Sequence, residues 1–130
     1  MKNNTKETKT ETKILNDNSS LLTLTYYGAE KVLRGYNVMG VAKAALESEV
    51  RYLSENLGRE NIRVNAIAPG YVSSSINIQD THQNAYFEYS LQKRIILPEE
   101  IAELACYVCS DISNGLVGQV LVYDAGRLLM

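Results

Sequence analysis

The stretch LLTLTYYGAEKVLRGYNVMGVAKAALESEVRYLSENLG, residues 21–58, runs on after three residues into IRVNAIAPG, residues 62–70. LLTLTY is short and rich in β-formers, so it reads as a strand. A polar loop, Gly28 to Gly35, follows it. From Tyr36 to about Leu57 the pattern is helical. Val38, Val41, Ala42, Ala45, Leu46, Val50 and Leu53 recur at the spacing of one helix face. Ala44, Ala45, Leu46, Glu47 and Glu49 favour helix, and Gly58 is a stop. Ile62 to Ala68 is β-branched and closes in Pro69-Gly70, which reads as a second strand.

Working outward, residues 71–90 are polar and mixed, with weak helical character. Pro98, followed by Glu99 and Glu100, suits the start of a helix and the positive end of its dipole. That helix runs to about Ser110. Asn114-Gly115 makes a turn, and QVLVYDAG, residues 119–126, reads as a last strand. Strand, helix, strand, helix, strand predicts an α/β fold with a parallel sheet and helical crossovers. No internal repeat is visible. Residues 1–13, MKNNTKETKTETK, have one apolar residue, Met1, and are expected to be a disordered polar tail.

With 130 residues the chain is one domain at most, and its net charge of −2 does not point to nucleic acid. No apolar run approaches the ~18 residues of a membrane span, and no secretory h-region precedes residue 21. Cys106 and Cys109 form a C-x-x-C late in the second helix. A redox pair belongs at a helix start, so these read as two small half-buried helix residues. His82 sits in the polar run QDTHQN and reads as a loop residue. No metal-ligand cluster is present in the pattern.

Tyr36 and Lys43 are seven apart. On a helix that spacing is about 700°, so both side chains would leave one face, roughly 10 Å apart along the axis. An ammonium near a phenol stabilises the phenolate, which suits acid–base work. Taken alone, the pair is a common helix-face arrangement.

The surrounding residues add to it. Tyr26, nine intervening residues, Tyr36, six intervening residues and Lys43, together with GAEK and YNVMGVAKAALE, resemble the bacterial NADH-dependent enoyl-acyl-carrier-protein reductases. These are a divergent branch of the short-chain dehydrogenase/reductase family, whose ordinary members leave three residues between tyrosine and lysine. The resemblance runs from about Ile14 to Gly126. It implies that Tyr36 hydrogen-bonds the thioester carbonyl of a trans-2-enoyl chain and stabilises the enolate as hydride arrives. It implies that Lys43 holds the nicotinamide ribose and that Tyr26 lines the acyl pocket. Gly70, Tyr71 and Val72, after Pro69, match the backbone that meets the nicotinamide carboxamide. Ser74 falls where the family has a threonine near the pyrophosphate. The implied cofactor is NADH, and no metal is implied. The implied partners are an acyl-carrier-protein-bound enoyl substrate and, because the helix from Tyr36 packs in a subunit interface, further copies of the chain. The implied setting is the cytoplasm, or an organellar stroma in a eukaryote.

Three features depart from the family. The loop after Ser74 is shorter and more polar. Leu91 replaces a proline in LQKR, with Arg94 kept. Asp124-Ala125-Gly126 replaces Asp-Gly-Gly, and Ala125 is expected to need a negative φ. A larger departure is that no glycine-rich strand–turn–helix occurs in these residues to take a pyrophosphate. The expected fold is therefore a partial Rossmann-like parallel sheet over residues 14–130, the last three strands with their crossover helices, lacking the N-terminal half. Its LLTLTY strand would be left as an apolar edge, which favours association. Three readings follow: an enoyl reductase, in which case this chain alone is expected to be inactive; another short-chain reductase, against which the Tyr–Lys spacing argues; and a truncated, non-catalytic remnant or oligomerising subunit.

Overall fold

The computed structural model describes residues 15–73 and 88–129. The expected tail, His82 and Ser74 lie outside the described residues. Among the described residues three strands and two α-helices alternate: β1 (Ser20–Leu24), α1 (Val38–Leu57), β2 (Arg63–Pro69), α2 (Pro98–Cys109) and β3 (Val120–Tyr123). The sheet order is β1-β2-β3 and both pairings are parallel, with Leu22 opposite Asn65 and Ile67 opposite Leu121. The partial parallel sheet expected from the sequence is thus observed.

Every residue of β2 is buried. A central strand covered on both faces is buried at every position rather than at alternate ones, and here that includes the polar Arg63 and Asn65. Val64 and Ala66 pack with Val50 and Leu57 of α1 and with Ile62. Alternate strand residues point the other way, and Arg63 there meets α2. Its Nη1 donates to Val108 O at 2.9 Å, Ser113 O at 3.1 Å and Ser113 Oγ at 3.0 Å, and its Nη2 donates to Ser110 O at 3.0 Å. A cation against carbonyls at a helix C-terminus also complements the helix dipole. The two helices therefore cover opposite faces of the sheet. Asn65, fully buried, donates through Nδ2 to Leu116 O at 2.8 Å and accepts at Oδ1 from the Gln119 N–H at 2.9 Å. It fixes the loop that feeds β3.

Cys106 and Cys109, expected half-buried, are exposed, because α2 meets the sheet through Ile101 and Val108. Three further sequence expectations change. Helix α1 starts at Val38, two residues after Tyr36, because Asn37 takes φ 44° and ψ −122°. The seven-residue helical geometry of Tyr36 and Lys43 therefore does not apply, as Tyr36 sits in the preceding turn. Second, the apolar positions of α1 do not form one core face. Glu47, Val50, Ser54 and Leu57 are buried, whereas Val38 is 73% exposed and Val41 is 70% exposed. Periodicity registers apolar spacing but not which side meets the sheet, and α1 carries apolar residues on two sides. Third, Ala125 adopts φ +55° beside Gly126 at +82°. Asp124 supports this turn, its carboxylate accepting the N–H groups of Gly126 at 2.9 Å and Leu128 at 2.8 Å. Those bonds offset the ~1–2 kcal/mol that a left-handed alanine costs.

Glu100 in the first turn of α2 takes Arg94 in a two-pronged pair, 2.7 and 2.8 Å, and the Leu97 N–H at 2.8 Å. Arg94's hydrogen bonds first, and then the Leu97 N–H, lower its pKa from 4.5 to about 2. A lowered carboxyl pKa contributes stability that is present above the unfolded value and lost as pH falls through the folded one. Acid titration followed by melting should show the native chain losing stability between pH 4.5 and about 2, with Glu100→Gln lacking that component.

Candidate functional site

The C-terminal ends of parallel strands are where open α/β sheets bind ligands. The candidate residues gather there. β1 ends at Leu24, Thr25 keeps the ladder by donating its N–H to Ile67 O at 2.9 Å, and Tyr26 follows. The Tyr26 ring meets the Tyr36 ring with centroids 5.4 Å apart at 55°, and the Tyr27 ring edge-on at 5.4 Å. Two tyrosines ten apart in sequence thus meet ring to ring.

Two glycines make room for this. A Cβ on Gly28 would lie 2.6 Å from the Tyr36 ring, and one on Gly40 would lie 2.8 Å from Gly28 O. The Tyr36 ring thus rests on bare backbone, and the first turn of α1 rests on the same loop. Sequence reading treated these glycines as ordinary loop and helix residues. Their only signal was a glycine on either side of an aromatic.

Lys43 projects from α1 to the end of β1, where Nζ donates to Leu24 O at 3.0 Å. It therefore hangs at the strand end that presents Tyr26. A cleft of about 320 Å³ is lined by Gly28, Lys31, Leu33, Tyr36, Asn37 and Gly40. A larger cleft, about 590 Å³, lies among Asn18, Asn61, Arg63, Asp111 and Asn114 at the opposite ends of the strands and holds none of the candidate residues.

Gly70, Tyr71 and Val72 leave the C-terminal end of β2, next to β1. A Cβ on Gly70 would come within 2.9 Å of Asp124 Cα, so only glycine lets this backbone pass the turn after β3. Gly70 N donates to Tyr123 O at 2.9 Å, and Ile96 brackets the next residues, giving its N–H to Tyr71 O and taking that of Ser73, both at 2.9 Å. Val72 pairs with Ile96 as a parallel bridge. The backbone of Gly70 to Val72 is therefore held on both sides. The structure brings Tyr26, Tyr36 and Lys43 around the end of β1 and puts Gly70 to Val72 at the end of its neighbour. Among the described residues no group of three or more His, Cys, Asp or Glu could hold a metal.

Comparison with known proteins points one way. The family model described as Enoyl-(Acyl carrier protein) reductase matches residues 5–127. The enoyl-[acyl-carrier-protein] reductase [NADH] 1 of Rhizobium meliloti is 48% identical over 118 residues, covering 88% of this chain and 43% of its own. The NADH enoyl-[acyl-carrier-protein] reductase of Rickettsia typhi is 44% identical over 117 residues, covering 87% and 45%. Among solved structures, the enoyl-acyl-carrier-protein reductase of Anaplasma phagocytophilum in complex with NAD superposes with a TM-score of 0.82 at 39% identity, over 94% of this chain and 46% of that one. The chain thus spans less than half the length of the relatives it matches.

Proposed function

The chain belongs to the enoyl-(acyl carrier protein) reductase family, and on that premise we propose that its residues supply the oxyanion-stabilising side of an NADH-dependent reduction of trans-2-enoyl thioesters on acyl carrier protein. The observation that carries the reading is the cluster at the end of β1: Tyr26 ring to ring with Tyr36 at 5.4 Å, and Lys43 Nζ at the Leu24 carbonyl. NADH supplies the hydride. The Tyr36 hydroxyl donates to the thioester oxygen, where negative charge develops, and a donor placed there lowers the barrier. Lys43, whose long, flexible stem lets its ammonium leave the Leu24 carbonyl, would hold the ribose hydroxyls of bound NADH. Gly70 to Val72 offer fixed backbone groups to the carboxamide, Ser74 a hydroxyl near the pyrophosphate, and Tyr26 a wall of the acyl pocket. The proposed setting is the cytoplasm. Among the described residues no helix is long and apolar enough to cross a membrane.

These residues fit the nicotinamide end of the cofactor. The 130 residues contain no glycine-rich turn for its pyrophosphate. The test adds NADH to the chain alone, and to the chain co-expressed with the first half of the Rhizobium meliloti relative. Alone, no melting shift is expected. A ligand at about 100 times its dissociation constant would add ~2.7 kcal/mol, which melting would reveal. The pair is expected to oxidise NADH with a crotonyl thioester. Turnover by the chain alone would overturn the incomplete site. A folded, associated pair without turnover would overturn the enzymatic reading.

The alternative, an oligomerising non-enzyme, has its own observation. Val38, Val41, Ala42, Ala45 and Tyr52 form an exposed, largely apolar side of α1, and among the described residues β1 pairs only with β2. An apolar helix side and an open strand edge both favour association. We propose a second copy of this chain as the occupant of the α1 side. Sedimentation at micromolar concentration should show a species larger than a monomer, reduced by Ala45→Glu. A compact, cooperatively melting monomer would count against it.

A further inference from the structure

Glu47 is a buried carboxyl to which the proposed chemistry assigns no task. It is 8% exposed, and its Oε1 accepts the hydroxyl of Thr25, 3% exposed, at 2.8 Å. Burying a carboxyl in place of an apolar side chain is costly unless its bonds are met, so the position calls for a reason beyond filling space. Its place in the fold offers one. Glu47 lies one helical turn beyond Lys43 on α1. Lys43 Nζ donates to Leu24 O, and Glu47 accepts from Thr25, so two successive turns of the helix grip two successive residues of the strand end. The next residue is Tyr26. Thr25 is held from its other side as well, by its N–H to Ile67 O.

We propose that Glu47 is a positioning residue: its bond from Thr25 fixes the height of α1 along β1, and thereby the meeting of the Tyr26 and Tyr36 rings. The Lys43 grip is lost whenever its ammonium turns to a ligand. The Thr25–Glu47 bond then still ties the strand end to the helix. Without it, α1 can slide and turn against β1, and Tyr36, joined to the helix through Asn37 and by its carbonyl accepting the Met39 N–H at 3.0 Å, moves with it. The relevance to catalysis rests on the reading of Tyr36 and Lys43 given above; the clamp itself does not.

The experiment is NMR of the chain without cofactor, reading the Tyr26–Tyr36 ring-to-ring NOE and the Thr25 hydroxyl proton, beside thermal melting. The unsubstituted chain should show the NOE and a hydroxyl proton protected from exchange; absence of either overturns the proposal. Thr25→Val removes the donor at equal size and should abolish the NOE. Thr25→Ser restores a donor and Glu47→Gln keeps an acceptor, so both should retain the NOE. A Thr25→Val chain that melts lower but keeps the ring contact has lost only a structural bond, and the positioning role fails. Should Thr25→Val not fold, Glu47→Met is read in the same way, with the unsubstituted chain still deciding. Absence of NADH turnover by the co-expressed pair with the clamp intact would condemn the function and spare the clamp. NADH turnover that survives in the pair with Thr25→Val would do the reverse.

Discussion

Tyr36→Phe is expected to lower turnover of the co-expressed pair by ~10²–10³-fold, the loss seen when one donor to a developing oxyanion is removed. The corresponding barrier change is about 2.7–4 kcal/mol. The substitution removes one oxygen and leaves the ring where Tyr26 and Gly28 hold it, so melting should hardly change. Because the hydroxyl acts chiefly in the transition state, KM for the enoyl thioester should move little while kcat falls. Lys43→Met should show the opposite emphasis, raising KM for NADH. If Tyr36→Phe leaves turnover within a few-fold of the parent, the donor is another group. Tyr26, whose ring lies 5.4 Å away, is then the next to replace.

The largest effect on stability is expected at Arg63. This residue is 7% exposed, and its guanidinium is held by the Val108, Ser110 and Ser113 carbonyls and the Ser113 hydroxyl. Arg63→Leu would remove those bonds and leave the carbonyls with neutral donors only, the Ser113 hydroxyl at Val108 O, the Ser113 N–H at Ser110 O and the Leu116 N–H at Ser113 O. Hydrogen bonds to a charged group contribute ~1.5–3 kcal/mol each. A loss of at least ~3 kcal/mol is expected, against a total of about 5–15 kcal/mol for a typical domain. Thermal melting should fall by roughly 10 °C or more at the few degrees per kcal/mol usual for this size. Because Arg63 is at the opposite end of β2 from Gly70, NADH turnover of the pair measured well below the melting point should persist. A drop of only a degree or two would show that water takes over the carbonyls.

The order of elements was legible because each announced itself locally. β-branched runs at 62–68 and 120–123, helix formers across 44–49 and Pro98 ahead of two glutamates all speak through near neighbours. The end of α1 was less so. Gly58 caps the helix at φ −60°, and the left-handed residue is Asn61 at φ 58°, beyond a short 3₁₀ turn at Gly58–Glu60. The start was misplaced by two residues because nothing local says that Asn37 leaves the helical region. The sign of φ at Ala125 was also out of reach, since it depends on Asp124 folding back to bond two N–H groups ahead.

The candidate site divides in the same way. Tyr26, Tyr36 and Lys43 could be chosen by their spacing, which is a property of the chain itself. Their geometry could not. The spacing argument put Tyr36 and Lys43 on one helix face, whereas Tyr36 precedes the helix and reaches Tyr26 only because Gly28 and Gly40 leave room. Arg63, Asn65, Glu47 and Thr25 looked unremarkable as letters. Their weight comes from partners 22 to 54 residues away.

By itself, then, the sequence determined which segments are strands and helices, that the strands run parallel, and which tyrosines and lysine to examine. Those are matters of periodicity, propensity and spacing, settled within a few turns of chain. Tertiary structure alone decided which side of α1 is buried, which polar residues lie in the core, and where the Tyr36 ring points. Each of these depends on contacts between segments distant in sequence, in which close packing leaves one arrangement and a buried polar atom must find its partner.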